Sequence, residues 1–148
     1  MRRPREFPLD CYGTEYIFRS EYERRQAKRL IKNGIKFLYE HQQLSFLADV
    51  RNAGCSVCGS SLVQQLRSYT PDFYLTETGI FVETKGKFDA PNRTKMKQVC
   101  IQSAEDIRMV FMRDNWLTKK KKMNYSRWCE INDIACAVGD IPLEWGRI

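Results

Sequence analysis

At 148 residues, 43% of them hydrophobic and 29% charged, the chain has the size and apolar content of one domain with a buried core. No apolar run approaches the roughly 20 residues needed to cross a bilayer, and the basic start Met1-Arg2-Arg3-Pro4-Arg5 has no apolar stretch behind it; a cytosolic chain without membrane anchor or signal peptide is expected. The net charge of +7 suits a polyanionic partner without proving one.

Residues 1–17 hold prolines, arginines and a glycine in no clear period, and predict a loosely packed basic arm ahead of a folded domain over 18–148. Ser20 followed by Glu23 has capping-box spacing. It opens a helix whose stripe is Tyr22, Ala27, Leu30 and Ile31, ended by Asn33-Gly34 with a left-handed cap. Gly34–Glu40 reads as a strand. The stretch 41–67, with Gly54, Cys55, Cys58, Gly59, Ser60 and Ser61, reads as an irregular insertion or long connection. Tyr69–Leu75 and Gly79–Gly86 read as the two strands of a hairpin turning near Glu77-Thr78-Gly79. Pro71 marks an edge or bulge there, able to turn Asp72 away from the ladder.

Beyond a loop at Ala90-Pro91-Asn92, a helix is expected from Arg93 to about Ser103, with Met96, Val99 and Cys100 inward. Asp106–Met112 follows as a buried strand, then a basic loop at Lys119–Lys122, and a short helix from Tyr125 to about Asn132. Ile134–Val138 is the final strand, and a tail at Ile141–Trp145 packs its apolar residues. This order predicts an α/β fold with a mixed central sheet flanked by helices.

Glu83 and Lys85 are two apart, so on a strand they share a face. With Asp72 from the neighbouring strand, two carboxylates and a lysine converge. Hard oxygen ligands of this kind hold Mg²⁺, which suits phosphodiester cleavage. The Thr84 carbonyl lies between Glu83 and Lys85 as a third ligand. Lys85 either orients the attacking water or stabilises charge, with a pKa lowered or held by the carboxylates. A solvated ion pair and a turn aspartate are the plain alternatives. The apolar run Ile80-Phe81-Val82 before the pair, Gly86 after it, and Pro71-Asp72 upstream favour the metal site.

These residues match the PD-(D/E)xK nuclease motif. With Phe18-Arg19-Ser20, Gly34-Ile35-Lys36-Phe37, Tyr39-Glu40, Tyr69-Thr70-Pro71-Asp72-Phe73 and the run Gly79–Gly86, the chain resembles the phage endonuclease I family, the Holliday-junction resolvases of short-tailed phages. The likeness runs from about residue 15 to the Ile141–Trp145 tail. It implies a restriction-endonuclease-like fold in a segment-exchanged homodimer acting in the host cytoplasm. It also implies a deoxyribonuclease dependent on Mg²⁺ (or Mn²⁺), two ions per site, that resolves four-way and other branched DNA. Asp72, Glu83 and Lys85 fall on the family's catalytic positions. Glu23 falls on the helical carboxylate that helps hold a second metal, in its own or the partner's site. The residues alone leave Glu23 open between that role and the capping box, with Glu21 as a competitor.

Arg19, Lys87, Arg93, Lys95 and the run containing Lys119 and Lys120 are candidate phosphate contacts, although a lysine run is equally a solvated loop. Cys55-Ser56-Val57-Cys58-Gly59 departs from the family pattern and resembles half of a zinc knuckle. A structural zinc completed by His41, Cys11 or a partner's pair, two free thiols, and a redox pair all stay open. His41 otherwise reads as a surface or packing residue, and Cys11, Cys100, Cys129 and Cys136 as buried free thiols. Two further functions fit the same residues: a restriction or transposon-end nuclease, and a non-catalytic junction-binding module.

Overall fold

The computed structural model describes residues 4–51, 59 and 62–148; Cys55 and Cys58 lie outside the described residues. The chain opens with a hairpin, β1 (Phe7–Cys11) and β2 (Thr14–Phe18). Its turn residues Tyr12 and Gly13 both have positive φ, 54° and 87°, the backbone that a two-residue hairpin turn requires. An irregular arm was expected here. Instead Phe7, Leu9 and Cys11 alternate inward, and Phe18, 1% exposed, is part of the core with Leu30, Phe37 and Phe73.

Helix α1 (Glu21–Lys32) starts as expected, with Ser20 accepting from the Glu23 N–H, and ends at Asn33, with Gly34 at φ 70°. Strand β3 (Phe37–Tyr39) is followed by β4 (Leu44–Arg51) and β5 (Leu62–Tyr69). The last two pair as an antiparallel ribbon from Leu44↔Tyr69 to Arg51↔Leu62, where an irregular connection was expected. Leu44, Phe46 and Ala48 alternate into the core, and the side chain of Gln102 bonds both the N–H and the carbonyl of Leu47 (2.7 and 2.9 Å).

Strands β6 (Phe73–Leu75) and β7 (Ile80–Lys85) form the expected hairpin, with Tyr69–Pro71 preceding its first strand. Helix α2 (Ala90–Gln102) begins three residues before Arg93. Asp89 caps it through the Asn92 N–H, and Pro91 sits in the first turn, where its missing N–H costs no helical bond. Strand β8 (Ile107–Phe111), helix α3 (Tyr125–Ile131) and strand β9 (Cys136–Val138) follow, and Leu143–Gly146 forms a closing 3₁₀ turn.

The central sheet has the order β3-β6-β7-β8-β9, antiparallel across β3-β6-β7 and parallel across β7-β8-β9. It is therefore mixed, as expected. Its two faces are covered separately. Ile80, Val82 and Val110 pack with α1 and the β1–β2 hairpin, whereas Phe81, Met109 and Phe111 pack with α2, α3 and the ribbon. Strand alternation makes this division and so decides where polar residues at the end of β7 project. Among the described residues no helix is long and apolar enough to cross a membrane.

Candidate active site

The last residues of β7 leave the core at its edge. Phe81, Glu83 and Lys85 share one face, so a buried aromatic, a carboxylate and an ammonium succeed one another along it. Lys85 Nζ lies 2.6 Å from Glu83 Oε1. The other oxygen, Oε2, accepts a 2.6 Å bond from the hydroxyl of Tyr69, the buried last residue of the ribbon. Burial, the Glu83 charge and the bond to it hold the Tyr69 hydroxyl well above its ordinary pKa, so it stays a donor. Burial pulls the Lys85 ammonium down, but the charge of Glu83 and its hydrogen bond, with Asp72 and Glu23 beyond, outweigh this and raise it. The ion pair with Glu83 thus favours the charged form of Lys85.

Asp72 is buried, and its Oδ2 accepts from both the backbone N–H (2.8 Å) and the hydroxyl (2.7 Å) of Thr84. Burial first, then the charges of Glu83 and Glu23, raise its pKa well above the ordinary carboxylate value, against the lowering effect of the Thr84 bonds. Asp72 does not turn away from the ladder, as the preceding proline suggested. Its carboxylate extends it. The Phe81 N–H bonds Asp106 and the Lys85 carbonyl accepts from Met112, so odd residues of β7 face β8 and even residues face β6. The register Leu75↔Ile80 and Phe73↔Val82, carried one step on, sets Pro71 opposite Thr84. Proline has no N–H to give. The Thr84 N–H is taken by Asp72, while the Thr84 carbonyl, directed to the same side, faces a residue that cannot donate to it.

Glu23 joins from α1. Its Oε1 accepts from the Ser20 hydroxyl (2.9 Å) and its Oε2 from the Tyr39 hydroxyl (2.5 Å), so it is both part of the helix start and a wall of the site. Its reciprocal contact is with the Ser20 side chain. Glu21 is exposed and pairs with Arg24 (3.0 Å), which removes it from the site. Asp72, Glu83, Lys85, Glu23 and Thr84 thus line one cleft of about 290 Å³. Tyr39 and Tyr69 were not foreseen, because only the fold shows which carboxylate a tyrosine hydroxyl reaches.

Of the basic candidates, Arg19 and Lys95 stand at this cleft. Arg19 pairs with Glu40 (2.7 Å), and Lys95 lies 5.3 Å from the centre of the Tyr69 ring. Burial, then the neighbouring Lys85, lower the Lys95 pKa against the pull of Glu83, Asp72 and Asp89. Lys87 and Arg93 line a separate cavity, and Lys119 and Lys120 are exposed on the loop between β8 and α3. His41 is exposed and stacked on Tyr74, with ring centres 5.3 Å apart. Cys11 lies in the core, its thiol pushed up to about 11 by burial and by Asp10.

The donors fit a hard divalent cation. They are carboxylate and carbonyl oxygens, and the burial that first raises Asp72, with the charges of Glu83 and Glu23 after it, is a penalty that a cation would relieve. Glu83 and Glu23 are each held by two protein partners. Among the described residues, no three His, Cys, Asp or Glu side chains are grouped so as to hold a metal ion by themselves. Such a site suits an ion that keeps several waters, as Mg²⁺ does with one or two carboxylates.

Two curated relatives share this sequence over most of its length. It is 36% identical to "Endonuclease I" of Escherichia phage T7 over 141 residues, covering 90% of this chain and 85% of that protein. It is 35% identical to "Endodeoxyribonuclease 1" of Enterobacteria phage T3 over 128 residues, covering 85% and 74%. The family profile described as phage endonuclease I matches residues 10–147, from the end of β1 through the closing 3₁₀ turn. With sequence likeness spanning both the fold and the cleft, the chain belongs to the phage endonuclease I family.

Proposed function

We propose that this protein is a PD-(D/E)xK endodeoxyribonuclease that hydrolyses phosphodiester bonds in four-way and other branched DNA. The observation that carries this is the Lys85–Glu83 pair beside buried Asp72 in one cleft, in a chain whose relatives are named as an endonuclease and an endodeoxyribonuclease. Asp72, Glu83 and the Thr84 carbonyl are the residues to hold a Mg²⁺ or Mn²⁺ ion, and Glu23 a second. When bound, such ions supply charge neutralisation at the phosphate and an acidified water. Lys85, kept charged by Glu83, is placed to stabilise negative charge on the phosphate or to orient water. Asp72, its pKa raised by burial and by the charges of Glu83 and Glu23, would exchange its proton for a cation on binding one. Arg19 and Lys95 stand where they can take the flanking backbone phosphates.

A homodimer with exchanged segments belongs to the same reading, since two coordinated cuts need two sites. It is supported by Leu47 and Leu66, paired across the ribbon and 41% and 69% exposed, an apolar spot on an outward face.

A labelled four-way junction and a matched linear duplex, each incubated with Mg²⁺ and with EDTA, test the proposal. Paired, Mg²⁺-dependent nicks confined to the junction are expected, and Glu83→Gln should drop cutting below detection while junction binding persists. Equal cutting of the duplex would replace junction selectivity with a general or sequence-specific nuclease. Binding with no cutting under any divalent ion would leave a binding module.

A further inference from the structure

Beside the cleft the surface carries an aromatic side chain that phosphodiester hydrolysis does not use. Trp116 is 49% exposed, on the loop between β8 and α3. A single exposed aromatic residue is ordinary. This one differs in how it is held and in what surrounds it.

The loop is tied at its base. Trp116 and Asn124 form an isolated antiparallel bridge, the Leu117 N–H donates to the Met123 carbonyl (2.8 Å), and the Tyr125 N–H donates to the Asn115 carbonyl (3.1 Å). Asp114 closes it by accepting from the Asn124 side-chain amide (3.1 Å), the Ser126 N–H (3.0 Å) and the Ser126 hydroxyl (2.5 Å). The indole is therefore presented from a fixed backbone. Beside it opens a cavity of about 300 Å³, whose walls include Trp116, Phe88, Tyr125, Lys87 and Arg93. Asp89 also lines it, but its carboxylate is engaged in capping α2, accepting from the Asn92 N–H (3.1 Å) and side-chain amide (2.7 Å). Cations thus flank an aromatic hollow.

The hollow adjoins the active site. Lys87 is two residues beyond Lys85, so their Cα atoms are within about 7 Å. Helix α2 presents Arg93 to the hollow and Lys95 to the cleft, joining the two along one element. A flat apolar ring flanked by ammonium and guanidinium groups suits a nucleobase stacked by its face, with its phosphate on the cations. In a linear duplex base faces are covered by their neighbours. At a branch point the stack is interrupted and a face becomes available.

We propose that Trp116 is a stacking platform for a nucleobase exposed at the branch next to the cut phosphate, with Lys87 and Arg93 holding that nucleotide's backbone. This rests on the nuclease reading and names a feature by which the branched substrate is recognised. Trp116→Ala and Trp116→Phe are measured for binding to a junction and to a linear duplex in EDTA, with thermal unfolding as the check on folding. In parallel, 2-aminopurine is placed in turn at each position flanking the branch, and its fluorescence is read on adding wild-type protein. Trp116→Ala should weaken junction binding about tenfold or more, leave duplex binding within about twofold, and lose a quench that wild-type protein produces at one position. Trp116→Phe should retain most of both signals. Unchanged junction binding in Trp116→Ala, equal weakening of junction and duplex, or no quench at any position would overturn the proposal. The nuclease reading is judged separately, on whether wild-type protein cuts the junction with Mg²⁺.

Discussion

Two buried tyrosines set the orientation of two carboxylates, and each offers a clean test because one hydroxyl can be removed without changing the ring. Tyr69 donates to Glu83 Oε2 while its ring packs beneath the Lys95 ammonium. Tyr69→Phe keeps the packing and frees Glu83 to rotate. Loss of a partner that orients a metal ligand costs about 10- to 100-fold in activity or metal affinity. The expected outcome is a fall of that size in cutting rate with a higher Mg²⁺ requirement, at unchanged junction affinity and unfolding temperature. Wild-type Mg²⁺ dependence in the variant would show that Tyr69 merely fills space.

Asp72 gives the opposite kind of effect. Its pKa is raised in the fold, so the stability it contributes is present below the ordinary carboxylate range and is lost as pH rises through the raised value. Asn at this position retains an acceptor for Thr84 and does not titrate. In EDTA, Asp72→Asn should therefore be more stable than wild type by about 0.5–2 kcal/mol at neutral pH, with the difference closing toward about pH 4. Thermal unfolding across pH measures this, and coincident curves would mean that neither burial nor the neighbouring carboxylates raise Asp72. Adding Mg²⁺ should recover part of the deficit in the wild type, because an ion bound only by the folded state stabilises it.

At the level of elements, local signals were strong where one side chain fixed one backbone group. Ser20, Gly34 and the turn before Gly79 placed α1 and the β6–β7 hairpin directly. Glu83 and Lys85 were legible because strand alternation needs no tertiary information. The misses have physical causes. Phe7-x-Leu9-x-Cys11 and Leu44-x-Phe46-x-Ala48 each alternate, but over so few residues that nearby proline, glycine and serine obscured the period. Ribbon β4–β5 is also stabilised from outside, by Gln102 at the end of α2 and by burial against the sheet, which no local pattern encodes. Helix α2 begins ahead of the expected Arg93 because Asp89 caps it, which makes Pro91 a first-turn residue and not part of a loop. Tyr39 and Tyr69 stand in segments that carry the family resemblance, but their role was not legible, since a hydroxyl's partner is chosen by the fold.

For the molecule as a whole, a chain of net charge +7 gathers Asp72, Glu83 and Glu23 into one cleft and rims it with Lys85, Lys95 and Arg19. Such a rim attracts a polyanion to a hollow that would repel its phosphates until cations arrive, so binding and cutting should separate cleanly on removal of metal. The outward pair Leu47–Leu66 makes its own prediction at this scale. If the ribbon joins two copies, replacing both leucines by serine should shift the mass in light scattering from dimer toward monomer at micromolar concentration, and an unchanged mass would place the contact elsewhere. Pro71 finally bears on how such motifs are read. Its contribution is a subtraction: at the position that the register sets opposite Thr84, it withholds an N–H that any other residue would offer to the Thr84 carbonyl. A motif letter can thus record what the backbone must not offer, and its meaning then resides in a residue that the motif spells as arbitrary.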